Sequence, residues 1–220
     1  MSIHKNSLEQ IYHKHHQRGN RYGYLFCHGE RGPYLNQWIG KGKRVLDLGC
    51  RDGMLTQSYA DGNKVTGVDI DREALQLIEK KLKIETHWLD LNHEWPFLAG
   101  SFDVVVACEI LEHMFFLDVF LQNIQETLRH GGLFIGSVPN AFRMRNRWKF
   151  LWGKEIENDP THVRQFSYNK LHEILSKYFS SIEIIPIRGK IAPFISVSPF
   201  WPKKVNRLFS QDFLWCCQKK

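Results

Sequence analysis

Nowhere among the 220 residues does an uninterrupted apolar stretch approach the ~18 needed to cross a bilayer, and the opening MSIHKNSLEQIYHKHHQRGN has no hydrophobic segment of the signal-peptide kind. The expectation is a soluble, cytoplasmic protein. Cysteine is scarce and odd in number. Cys27, Cys50, Cys108, Cys216 and Cys217 form no C-x-x-C pair, so the usual pattern of a zinc or redox centre is missing and a reducing compartment fits. Internal repeats and low-complexity tracts are also absent. With 43% hydrophobic and 24% charged residues, the chain is too apolar for disorder and long enough to bury one full core. Acids are the scarcer charge, 23 against 30 Lys and Arg, giving a net charge of +7. The surplus concentrates between Arg188 and Lys220, where seven cations face one acid, Asp212. Such a run is either a solvated face or a surface for phosphate, nucleic acid or acidic lipid.

What is present begins at Arg44. Short β-branched runs, Val45 to Leu48, Val65 to Val68, Phe102 to Ala107 and Leu133 to Val138, alternate with helical patterns over Arg72 to Leu82 and Val119 to Leu128. That alternation predicts a parallel sheet covered by helices. Gly131-Gly132 reads as a helix stop. A weaker strand spans Ile84 to Leu89. Ile182 to Ile187 and Phe213 to Cys217, with no long helix between them, suggest an antiparallel pair at a sheet edge. Before Arg44, Leu8 to Gln17 and Pro33 to Ile39 read as helical pieces capping one edge, with His4, His13, His15 and His16 on a solvated polar face. The expected layout is one domain over 1–220: a helical cap to residue 43, a core over 44–140, a lid over 141–167 and a sheet edge over 168–220. Ala141 to Arg164 and Gly189 to Gln211, the latter with Pro193, Pro199 and Pro202, read as loops of the lid or ligand-binding kind.

The chemistry concentrates in Arg44-Val-Leu-Asp-Leu-Gly-Cys-Arg-Asp-Gly53, an apolar strand running into a glycine-bearing turn that opens a helix. Glycine permits close approach of a ligand to backbone, and a helix N-terminus offers unpaired N–H groups. The dinucleotide fingerprint G-x-G-x-x-G is not matched, which disfavours a nicotinamide enzyme. The segment instead resembles the first motif of the class I S-adenosylmethionine methyltransferases, an acid followed by G-x-G-x-G. Further likenesses follow in order over about three-quarters of the chain. Asp69, in Val-Thr-Gly-Val-Asp-Ile70, matches the acid that takes both ribose hydroxyls, and a carboxylate can accept two such bonds. Ile70 would pack on the adenine. Asp90, in His-Trp-Leu-Asp-Leu91, matches the acceptor for the adenine amine, with the backbone of Leu91 beside it. Phe102 to Glu109 resembles the fourth motif, lining the methionine end. The resemblance thus implies a Rossmann-like, doubly wound seven-stranded mixed sheet with the last strand antiparallel. It also implies S-adenosylmethionine contacts from Asp47, Gly49, Cys50 and Gly53 as well as Asp69, Ile70, Asp90, Leu91 and Glu109. One departure stands out: Arg51 replaces the middle glycine, so its side chain must turn away from the cofactor or reach its carboxylate. If it does neither, the chain is a non-catalytic binding relative.

Methyl transfer needs an in-line acceptor and, for a hydroxyl, a base. Glu109-Ile-Leu-Glu-His113 resembles the E-x-x-E-H of ubiquinone-pathway O-methyltransferases and of small-RNA 2′-O-methyltransferases. There the resemblance implies a divalent metal on Glu109, Glu112 and His113, with His162 as a further ligand. Two carboxylates and two imidazoles suit such an ion. The alternative is a metal-free site in which His113 helps build the acceptor pocket and His162 is the base. Arg143-Met-Arg-Asn-Arg-Trp-Lys-Phe150 interleaves cations with aromatics, which suits either a phosphate-gripping, ring-stacking loop or an amphipathic segment. Alternate arginines cannot share one helical face, which favours the loop. The reading is methylation of a small acceptor, anionic, phosphate-bearing or lipid-linked, most simply at oxygen; RNA is the competitor, though no separate RNA-binding module is visible.

Overall fold

The computed structural model describes residues 3–18, 22–23, 28–156, 159–192, 195–196 and 201–220. Cys27, Pro193, Pro199 and the His4 side chain lie outside that description. No helix among the described residues is long and apolar enough to cross a membrane.

The sheet is built from β1 Arg44–Leu48, β2 Lys64–Asp69, β3 Glu85–Trp88, β4 Phe102–Cys108, β5 Leu128–Pro139, β6 Phe179–Ala192, a two-residue β7 Ile195–Ser196 and β8 Ser210–Lys219. Its order is β3-β2-β1-β4-β5-β8-β6-β7. Strands β1 to β5 pair in parallel, while β8 slots between β5 and β6 antiparallel to both. The expected seven-stranded mixed sheet with an antiparallel last strand is therefore present, extended by the short β7. The order turns back at β1 and β4, the point where open α/β sheets leave a crevice beyond the strand ends.

Burial on both faces explains the near-continuous hydrophobic strands. Val104 and Val106 point to one side, packed with Val45, Val65, Leu35, Ile39 and Tyr59 from α2 His28–Ile39 and α3 Gln57–Ala60. Val105 and Ala107 point to the other, against Phe120, Leu121 and Ile124 of α5 Leu117–Thr127 and Leu171 and Leu175 of α7 Tyr168–Tyr178. Helix α4 Arg72–Leu82 seats Leu75 and Ile78 against Cys50.

Several local expectations need correction. The turn after β1 does not open a long helix: α3 starts at Gln57 and lasts four residues. Helix α5 ends at Thr127, before Gly131-Gly132, because Leu128 is already paired with Phe102 in β5. Helix α7 was not anticipated, although Leu171, Ile174 and Leu175 recur at helical spacing and Ser167 caps it by accepting from the Lys170 N–H. The expected loops also contain structure. Met144–Leu151 is a helix, α6, and much of 189–211 belongs to β6 and to α8 Lys203–Phe209. The N-terminal helix α1 runs Ile3–Arg18.

Candidate active site

A cavity of about 820 Å³ opens at the carboxyl ends of β1, β2 and β4. It receives Asp47, Gly49, Cys50, Asp69, Ile70, Asp90, Leu91, Glu109, His113 and His162. Residues 115 positions apart are thus gathered at one crevice.

The turn after β1 is held by its own hydrogen bonds. Gly49 and Cys50 both donate their N–H to the Val68 carbonyl, at 2.7 and 3.1 Å, so those amides serve the neighbouring strand rather than a ligand. Gly49 has φ +70°, and a Cβ there would overlap Ile110. Gly53 does not line the cavity; at φ +76° it lies where a Cβ would come 2.6 Å from Ile78 Cγ1, so it lets α4 pack close to the turn. Arg51 adopts the left-handed φ of 47° that a glycine would take freely. Its N–H donates to Asp69 Oδ2 at 2.9 Å and its Nε pairs with Asp52 Oδ1 at 3.0 Å, two contacts that offset the backbone strain.

Asp69 is buried at the tip of β2. Its carboxylate accepts the N–H of Arg51 and of Asp71, each at 2.9 Å, one on each oxygen. A carboxylate offers about four lone-pair sites, so two remain for a diol. Burial raises its pKa, partly countered by the His16 charge and these amides. Asp90 accepts from the Asn92 N–H and Asn92 Nδ2, both at 3.0 Å on Oδ1, leaving Oδ2 with His93 at 3.4 Å. Burial pushes Asp47 up to about 6, against the Thr56 hydroxyl that donates to it at 2.6 Å.

Helix α1 is no solvated cap. His15 and His16, with side chains only 14% and 12% exposed, join Leu8 and Tyr12 in the cavity wall. Asp71, the N-cap of α4, accepts from His16 Nδ1 at 2.8 Å, His13 Nδ1 at 3.2 Å and the Tyr22 hydroxyl at 2.6 Å. Burial alone would raise its pKa, but these partners hold the Asp71 carboxyl well below the usual range. His15 Nε2 reaches Asp159 Oδ2 at 3.2 Å, joining α1 to the 159–167 segment.

That segment is stitched across the Leu111–His113 turn. Val163 and Arg164 donate their N–H to the Glu112 carbonyl, and the Arg164 guanidinium donates to the carbonyls of Met114 and Phe115 at 2.8 Å each. Thr161 donates N–H and hydroxyl to Asp159 Oδ1, closing a local turn that presents His162. The rings of His113 and His162 meet edge to face with centroids 4.8 Å apart. His113 Nδ1 lies 3.0 Å from the Thr161 carbonyl, a contact that places the proton on Nδ1 and leaves Nε2 with a lone pair. Burial and the neighbouring His162 lower its pKa to about 4, so His113 is neutral at neutral pH.

Glu112, His113 and His162 each offer a ligand atom within 4.8 Å of the others. Glu112 is buried with neither carboxylate oxygen hydrogen-bonded, and burial beside Glu109 pushes its pKa well up. Glu109 does not join this group. It stands at φ +58°, accepting from Ser137 Oγ at 2.8 Å and pairing at 2.8 Å with Arg31, whose guanidinium also holds Asp212 at 3.0 Å. Of the four residues expected as metal ligands, the structure brings Glu112, His113 and His162 together, whereas the buried Arg31 engages Glu109. Arg31, Tyr12, His15 and His16 are among the cavity-lining residues missed from sequence.

The sequence profile of a methyltransferase domain family matches residues 15–178, most of the chain. The chain belongs to the methyltransferase domain family, of the class I S-adenosylmethionine-dependent kind. Relatives include the ubiquinone biosynthesis O-methyltransferases of Aromatoleum aromaticum, 38% identical over 39% of this chain and 41% of that protein, and of Nitrosococcus oceani, 33% identical over 45% and 44%. The chain thus spans less than half the length of these two relatives. A SAM-dependent methyltransferase from Archaeoglobus fulgidus superposes with TM-score 0.69 at 20% identity, covering 93% of this chain and 99% of that one. One from Thermotoga maritima reaches 0.70 at 14% identity, covering 96% and 98%. At these identities the two structures speak for the fold of this methyltransferase domain.

Proposed function

We propose that the chain binds S-adenosylmethionine in the 820 Å³ cavity and transfers its methyl group to the oxygen of a small acceptor. The carrying observation is that one crevice brings a buried acid at the tip of β2, Asp69, and a partly buried acid after β3, Asp90, together with two histidines from distant segments. When bound, the cofactor supplies a methyl group on a sulfonium. Asp69 takes the ribose hydroxyls on its remaining lone pairs, Ile70 and Leu91 flank the adenine, and Asp90 accepts from its amine. Cys50 contributes wall at the turn. Asp47, Arg31 and Glu109 lie toward the methionine end. His162, turned toward His113 in the wall, takes the proton from the acceptor hydroxyl, and Tyr12 with the 159–162 turn limits water. Arg143 and Asn146 in the wall suit an acceptor with an anionic or polar group.

The buried Asp47 gives this reading a pH signature. The folded chain keeps its proton up to about pH 6, whereas the unfolded one releases it near 3.8, so the Asp47 contribution to folding stability falls as pH rises through that window. A bound cation favours the ionised form. Affinity for S-adenosylmethionine, followed by calorimetry, should therefore weaken as pH drops below about 6, and a flat profile between about pH 5 and about pH 7.5, which bracket that value, would exclude Asp47 from the cation's surroundings.

A second reading has one specific observation in its favour: the buried Glu112 carboxylate accepts no hydrogen bond and has His162 Nε2 4.0 Å from Oε1, with His113 close by. These three residues fit a divalent cation, and the Nε2 lone pair of His113 is in the state a ligand needs. A metal there would lower the pKa of an acceptor hydroxyl, which is also how RNA 2′-O-methylation would be served. A chelator should then abolish turnover but leave cofactor affinity intact; undiminished turnover in excess EDTA leaves the histidines as metal-free groups.

A further inference from the structure

The outer face of α6 has no role in the site. Trp148, Leu151 and Trp152 stand at i, i+3 and i+4, so they share one side of the helix and its end. They are 53%, 73% and 75% exposed. The opposite side is anchored by buried Asn146, whose Nδ2 donates to the Ala141 carbonyl at 2.9 Å. Large apolar side chains left together in water on one short helix mark an interaction surface rather than a stray exposure.

Charge narrows the partner. From Arg143 to Lys154 there are five cations, Arg143, Arg145, Arg147, Lys149 and Lys154, and no acid. Helix α8 packs beside α6, adding exposed Lys203 and Lys204 and the partly exposed Trp201. By helical spacing Arg145 and Lys149 fall on one edge of the apolar side and Arg147 on the other, whereas Arg143 turns inward to the cavity. An apolar face with Trp and Leu between basic margins is the pattern of a helix lying in a lipid interface, the rings at headgroup depth and the cations on anionic headgroups. A second copy of the same face would set like charges against each other. RNA would satisfy the cations and stack the indoles but offers nothing to Leu151.

We infer that α6, with the adjoining end of α8, docks the protein on an anionic membrane surface. Arg143 and Asn146 on the inner side of α6 line the cavity, so a docked protein would hold its acceptor entrance near the bilayer; that corollary rests on the methyl-transfer reading, whereas docking does not.

The test is co-sedimentation of the full chain, without cofactor, with vesicles of phosphatidylcholine and phosphatidylglycerol in equal parts and of phosphatidylcholine alone. The mixed vesicles should bind the protein, high salt should release it, and tryptophan emission should shift to the blue. Trp148→Ser/Leu151→Ser/Trp152→Ser should weaken binding more than about tenfold, since each side chain removes apolar area from the interface, with an unchanged melting curve because all three are exposed. No binding to anionic vesicles would overturn docking, as would equal binding by the triple variant. So would gel filtration showing a dimer that the triple variant dissociates, or binding of a single-stranded RNA oligonucleotide without binding of vesicles. A vesicle-binding protein that transfers no methyl group would keep docking and sink only the enzymatic reading.

Discussion

Asp69→Ala is expected to weaken S-adenosylmethionine binding by about a hundredfold, the equivalent of roughly 2–3 kcal/mol for two hydrogen bonds to a buried carboxylate. The loss has two sources. The ribose hydroxyls lose their acceptor, and the amides of Arg51 and Asp71, each 2.9 Å from the carboxylate, lose theirs. Arg51 at φ 47° depends on that contact, so the turn itself should loosen. Asp69→Asn separates the two: it keeps an acceptor for one amide but removes the charge, and should fall between wild type and alanine. Calorimetry reads the affinities directly. An alanine variant with wild-type affinity would place the ribose elsewhere.

The second large effect belongs to catalysis. Replacing His162 with alanine should lower turnover by about 10²- to 10⁴-fold, the usual contribution of a positioned general base, and leave cofactor affinity nearly unchanged. His162 is placed by the Asp159 turn and by the backbone bonds of Val163 and Arg164 to Glu112, not by the cofactor. Single-turnover measurements with labelled S-adenosylmethionine and an identified acceptor would distinguish the loss from slow product release. If His162→Ala turns over normally while His113→Ala does not, the roles of the two imidazoles are exchanged. If neither matters, the acceptor is not activated by either.

The central strands were legible because each reports burial on both faces in a few consecutive residues. Val104 to Ala107 and Val45 to Leu48 need no distant partner to be read as core. Asp69 and Asp90 were legible as strand-end acids in a fixed order. What escaped reading depends on contacts far apart in sequence. His15 and His16 look solvated because polar residues facing a polar cavity carry the same pattern as polar residues facing water. Glu109 looked like a metal ligand because spacing cannot reveal Arg31, 78 positions earlier, which claims its carboxylate across the fold. Helix α6 was hidden by its charges: alternate arginines, which cannot share one helical face, favoured a loop, whereas the segment forms a helix with an exposed apolar side.

The Arg51 substitution divides a working cofactor site from a degenerate one. In the structure its side chain lies against Asp52, and its amide supports Asp69. Arg51 thus takes a left-handed φ of 47° while remaining part of the cavity wall.

Titration of the purified chain with S-adenosylmethionine in a calorimeter, at pH 7.5 where Asp47 is ionised, tests this most directly. The account predicts one site per chain with a dissociation constant in the micromolar range, weakened by Asp69→Ala. Absence of binding at millimolar cofactor would contradict it.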